Sequence, residues 1–87
     1  MISYLIEFIG TFVFLTITIV TRNPFAIGMA LATAILFGNN VANTYFNPAV
    51  TYLMYLDNNI TFRNLIEQTI VQLAAAIAAF YFYNHVK

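Results

Sequence analysis

The stretch Phe46-Asn47-Pro48-Ala49-Val50-Thr51-Tyr52-Leu53-Met54-Tyr55-Leu56, closed by Asp57-Asn58-Asn59, decides the fold. Asn is a strong helix N-cap, and Pro suits the first helical position, whose N–H has no helical partner in any case. A helix over 48–56 follows. Nine residues at about 1.5 Å each give about 14 Å, half of a bilayer core about 30 Å thick. The segment is too short to span and too rich in Leu, Met, Tyr and Val for a soluble loop. A re-entrant half-helix fits both properties. Non-helical backbone leading into such a helix is tolerated at membrane depth only where it is buried in protein or lines a wet cavity.

The flanking sequence agrees with a lipid environment. Of the 87 residues, 62% are hydrophobic and 7% charged, against about 25% charged in an ordinary soluble domain. Three apolar runs, about 4–20, 25–42 and 65–83, are each near the lower limit for a transmembrane helix. Pro24 suits the first turn of the second. The expected fold class is therefore an all-α membrane protein: three transmembrane helices plus one re-entrant half-helix, as a single unit over 1–87. The first run has no basic flank and is interrupted by Glu7, so it reads as a span rather than a signal peptide. With no Cys, no disulfide, thiolate metal site or Cys nucleophile is available, and the single His85 makes neither a metal site nor a catalytic base. No cofactor is expected, and zero net charge without a basic patch argues against nucleic acid. Nothing in the chain points to an enzyme.

Helical periodicity places polar and small residues on inner faces. Glu7, Gly10, Thr11, Phe14 and Thr18 share one face of the first helix, and Gln68, Gln72, Ala75 and Ala79 one face of the last. The second helix carries two stripes, Gly28/Ala32/Ile35/Asn39 and Ala30/Ala34/Gly38. Small residues at this spacing let membrane helices approach closely, and polar groups face the bundle because lipid cannot satisfy them. Phe8, Phe12, Leu36, Phe37 and Phe80 suit lipid, and Tyr81, Tyr83 and His85 an interfacial belt. Glu7 has two readings, a proton or ion carrier and an acceptor holding loop N–H groups; the second is favoured.

The N-terminus of a helix carries about half a positive charge. Placed near mid-membrane, with the Asn47 amide beside it, it offers donors to a passing neutral acceptor such as a water oxygen and opposes cations and protons. Asn47-Pro48-Ala49-Val50-Thr51 resembles the Asn-Pro-Ala signature of the aquaporin and aquaglyceroporin family, the major intrinsic proteins. Glu7-Phe8-Ile9-Gly10-Thr11-Phe12 looks like the family's first-helix motif, Gly28 and the small residues after it like its second helix, and Gln72 with Ala75-Ala76 like its third. The resemblance covers nearly the whole chain and corresponds to the N-terminal half of a family member.

The resemblance implies roles. Asn47, with Pro48 and Ala49, meets the permeant at the pore centre. Asn43, Thr44 and Tyr45, with Ala42, form the preceding loop, whose carbonyls line the pore. Glu7 and Gln72 brace that loop by hydrogen bonds to its backbone. Ile27, Ile35 and Val50 are candidates for the constriction. Two departures stand out: the family's loop commonly reads Ser-Gly-Gly/Ala-His, and an Arg follows its second Asn-Pro-Ala, where this chain has Val50. An arginine–histidine selectivity filter is therefore not expected, and glycerol-like solutes stand beside water as permeants.

A family pore is built from two inverted repeats, so an antiparallel homodimer in the bilayer is the expected completion, with four such dimers (an octamer) matching the family's four-pore assembly. Arg22 and Lys87 fall on one side of three spans, Arg63 and the N-terminal amine on the other. The positive-inside rule then has little bias to act on, and dual topology is expected. The expected function is a passive channel for water or small neutral solutes. The alternatives are a non-conducting remnant or accessory protein that packs with a relative, and a small ion pore, against which the lack of a ring of charged residues argues.

Overall fold

Two Asn-Pro pairs open helices in this chain. In the computed structural model, which describes residues 2–39 and 44–87, the Asn23 side-chain carbonyl accepts the N–H groups of Phe25 and Ala26 at 2.9 and 3.1 Å, and Pro24 begins a helix. Asn47 caps a second one in the same way. The described residues form four helices: α1 (Ile2–Thr21), α2 (Pro24–Asn39), α3 (Pro48–Leu56) and α4 (Phe62–Val86). Among them there is no strand.

The turns follow from local chemistry. Arg22 adopts φ 49° and returns its N–H to the Thr18 carbonyl at 3.0 Å, a left-handed cap that ends α1. At the end of α3, Asn58 has φ 64° and donates to Tyr55, while Asn59 donates to Met54. These two bonds make a Schellman motif, with Asn in the left-handed position it tolerates better than most residues. Thr61 then caps α4 by accepting the Asn64 N–H at 3.1 Å.

Helix α1 is central. It packs against both α2 and α4, and α3 packs against α4. α1 and α4 run parallel: Tyr4 near the start of α1 donates to Glu67 near the start of α4, and Phe12 meets Phe82 edge-on further along, with ring centroids 5.6 Å apart. The Phe12 ring therefore packs within the protein rather than simply facing lipid. It also stacks on Phe8 at 6.5 Å.

Helices α1 and α4 are long and apolar enough to cross a membrane. Both extend past the apolar runs that announce them, because polar ends such as Arg63-Asn64 and Asn84-His85 continue the helical backbone. α2, apolar and 16 residues long, rises only about 24 Å at 1.5 Å per residue. The last part of the run expected over 25–42 lies outside the described residues. Of the two small-residue stripes on α2, Ala30, Ala34 and Gly38 turn inward, with Gly38 buried, while Gly28, Ala32 and Ile35 are exposed. Among the helices of the described residues, α2 packs against α1 alone.

Candidate functional site: the braced turn before α3

The site is built around a carboxyl group. Glu7 is fully buried on the face of α1 that looks toward α4. Its Oε2 accepts the Tyr45 N–H at 3.0 Å, and its Oε1 accepts the Phe46 N–H at 2.7 Å. Two successive backbone donors converge on one side chain. Phe46 has φ 62°, and a left-handed residue lets neighbouring N–H groups point into a common concavity that favours an anionic acceptor.

Gln72 of α4 completes the brace. Its Nε2 donates to Glu7 Oε1 and, at 2.8 Å, to Thr51 Oγ1. The opposite amide orientation would turn Gln72 Oε1 toward the Glu7 carboxyl oxygen, acceptor against acceptor. As oriented, that oxygen is buried without a hydrogen-bond partner among the described residues. The hydrogen bonds that Gln72 makes among the described residues go to side chains, so it reaches the loop backbone through Glu7. Thr51 in turn donates to the Asn47 carbonyl at 2.9 Å. A continuous path of hydrogen bonds thus links α1, α4 and the first turn of α3, through Glu7, Gln72 and Thr51, whose residue exposures are 0%, 1% and 0%.

Asn47 stands at the end of this path, half-buried, with φ −153° and ψ 125°. Its Oδ1 accepts the Ala49 N–H at 2.8 Å. Capping consumes the carbonyl end of the side chain, and the Nδ2 donors have no partner among the described residues. The turn therefore presents an amide NH2 group beside the positive end of a helix, an arrangement suited to neutral acceptors.

The other residues singled out from sequence are distributed around this centre. Thr44 is buried and Tyr45 half-buried; Asn43 lies outside the described residues. Pro48, Ala49 and Val50 are exposed, Ile27 is half-buried and Ile35 exposed. No contact between α2 and α3 is present among the described residues, so one chain does not bring Ile27 or Ile35 to Val50. A groove runs between α1 and α2, lined by Ile9, Gly10, Val13, Met29, Phe37 and Phe46 among others.

Two contributors were not singled out from sequence as site residues. Thr51 is the hinge of the hydrogen-bond path, and its position four residues after Asn47, on the same helical face, is the signal that marks it. Phe46 is 2% exposed, and its ring lies against Gly10 and Gly38. Nothing in the letters of a sequence announces a left-handed phenylalanine.

A curated protein described as "Glycerol uptake facilitator protein-like 6", from Lactiplantibacillus plantarum (strain ATCC BAA-793 / NCIMB 8826 / WCFS1), is 39% identical over 87 residues, covering 88% of this chain and 40% of that protein. The chain is related to the aquaglyceroporins. This aquaglyceroporin-like chain spans about two fifths of the length of the curated relative it matches. That is a channel family rather than an enzyme family. No family model matches the chain, and no solved structure does.

Proposed function

We propose that this chain is a channel subunit that passes water or small neutral, glycerol-like solutes, with Asn47 at the waist of the pore. The observation that carries the reading is the state of the Asn47 side chain. Its carbonyl is committed to the cap of α3, its amide donors have no partner among the described residues, and its backbone is tied through Thr51 and Gln72 to two long apolar helices.

Depth supports the same reading. Gln72 lies ten residues along α4 from Phe62, about 15 Å at the helical rise. Because Gln72 holds Thr51 in the first turn of α3, a membrane crossed by α4 would hold the start of α3 deep inside it. The Tyr55–Phe62 ring contact, with centroids 5.7 Å apart, returns the other end of α3 to the start of α4. On this reading α1, α2 and α4 span and α3 is re-entrant.

One such turn makes half a waist. An inverted second copy supplies the other half in our proposal, bringing a second Asn47 to the first and placing Ile27, Ile35 and Val50 of the two chains around the passage. The parallel α1 and α4 put Arg22 and Lys87 at one end and Arg63 at the other, which leaves insertion free to occur in both orientations. Four antiparallel pairs would give an octamer with four pores. The name of the relative, a glycerol uptake facilitator-like protein, supports glycerol as a permeant to be tried beside water.

The reading is tested by reconstituting the protein in liposomes and following light scattering after an osmotic step, with an impermeant osmolyte for water and with glycerol separately. Shrinkage or reswelling well above that of empty liposomes is expected for at least one of the two. Rates equal to those of empty liposomes for both overturn it.

A further inference from the structure

Three described residues other than glycine have positive φ, and Phe46 is the one aromatic among them. Its φ of 62° places a bulky aromatic in the left-handed region, where a non-Gly residue carries a cost and persists only when its surroundings over-determine it. Those surroundings can be named. The Phe46 N–H is held by Glu7 Oε1 at 2.7 Å. Its ring lies between α1 and α2, against Gly10 of the first and Gly38 of the second.

The fit allows no added atom. A Cβ on Gly10 would fall 2.9 Å from the Phe46 ring tip Cζ and would overlap Cε1. A Cβ on Gly38 would also fall 2.9 Å from Cζ and would overlap Thr44 Oγ1. By contrast, a Cβ on Gly28 would meet nothing within 4 Å. Gly10 and Gly38 therefore serve to admit the Phe46 ring as well as to let helices approach. In lipid, where apolar surface gains little by leaving the solvent, such close van der Waals packing is what holds elements together.

We infer that Phe46 is a positioning residue for Asn47: its ring, keyed into Gly10 and Gly38, fixes where the Asn47 side chain stands at the α3 N-terminus. The inference rests on the proposed channel function for its consequence and on packing for its cause. Glu7 fixes the direction of the loop by holding two N–H groups. The ring fixes its displacement between α1 and α2, which hydrogen bonds to a single side chain leave open. Because Asn47 is the next residue, a shift of the ring is passed directly to the cap of α3.

The test is a size-exchange cycle read in two ways. The first reading is exchange of the Ala49 amide hydrogen, measured by NMR on the full chain in nanodiscs, since that amide is held by Asn47 Oδ1. The second is the ratio of glycerol to water permeability in liposomes. Gly10→Ala, whose added Cβ would meet the Phe46 ring first, is expected to speed Ala49 exchange about ten-fold, a mid-range effect for residues in contact, and to change the permeability ratio. Combining it with Phe46→Leu, which shortens the side chain, is expected to restore much of the protection and the ratio. Phe46→Gly keeps the left-handed backbone accessible, so it is expected to keep the Tyr45 amide protected by Glu7 while losing protection at Ala49. Gly28→Ala is expected to change neither.

Failure of the inference and failure of the channel reading give different results. If the wild type passes neither solute, the channel reading falls and the exchange cycle still decides whether Phe46 positions Asn47. Wild-type Ala49 protection in both Gly10→Ala and Phe46→Gly overturns the inference. So does a loss that the paired Leu fails to recover at all.

Discussion

The Phe46 N–H donates to Glu7 Oε1 at 2.7 Å across 39 positions of sequence. That bond, with its neighbour from Tyr45, ties the chain just before α3 to the buried face of α1. Among the described residues, Glu7 accepts from three N–H donors, those of Tyr45, Phe46 and Gln72.

Glu7→Gln replaces one acceptor oxygen with an NH2 group facing donors. At least one of the three bonds is lost and a donor is left opposite a donor. A buried donor left without an acceptor costs about 1–3 kcal/mol. A loss of that order is expected in unfolding measured in detergent, together with faster exchange of the Tyr45 and Phe46 amides. Wild-type exchange at both amides would count against Glu7 as the anchor.

Thr51→Val keeps the shape of the side chain and removes the hydroxyl that joins Gln72 to the Asn47 carbonyl. One buried donor, Gln72 Nε2, loses a partner, and the expected cost is about 1–3 kcal/mol. Thr51→Ser, which keeps the hydroxyl, should recover most of it. Equal stability of the Val and Ser variants would show that packing rather than the hydrogen bond is at stake.

The polar cluster at the start of the α1–α4 contact, about one helical turn from Glu7, gives a contrast. Tyr4 donates to Glu67, and Glu67 also meets Arg63 at 3.4 Å, with the Arg63 side chain 86% exposed. Exposed ion pairs contribute about 0–1 kcal/mol. Arg63→Gln should therefore leave stability nearly unchanged and tilt the topology balance instead, because it removes a cation from one end of the helices while Arg22 and Lys87 remain at the other. Reporter tags at the chain end should read both sides of the membrane in the wild type and shift toward one side in this variant. Reporters confined to one side in the wild type would remove the dual-topology proposal.

The inner faces of α1 and α4 were legible because polar residues four apart in apolar runs have few places to go. Glu7 and Thr11 are buried on α1, and Gln68, Gln72, Ala75 and Ala79 on α4. Both Asn-Pro pairs carry their capping function in the letters. The inward face of α2 was less legible, since it bears two small stripes and sequence does not say which one a neighbour will use. Phe12 read as lipid-facing because an aromatic in an apolar run looks the same whether it meets lipid or Phe82. The Phe46 wedge was out of reach: the sign of a φ angle and the shape of the space between two glycines arise only when three separate segments meet.

Asn47 is the residue on which the proposed pore depends. Wild-type and Asn47→Asp proteins should be compared in liposomes, with water flux followed by light scattering and cation flux by an enclosed dye. Asp keeps a side-chain oxygen for the α3 cap while replacing the free amide donors with an acceptor. The wild type is expected to pass water or glycerol without cations, and Asn47→Asp to leak cations. Identical solute and cation fluxes for the two proteins would contradict a place for Asn47 at the waist of the pore.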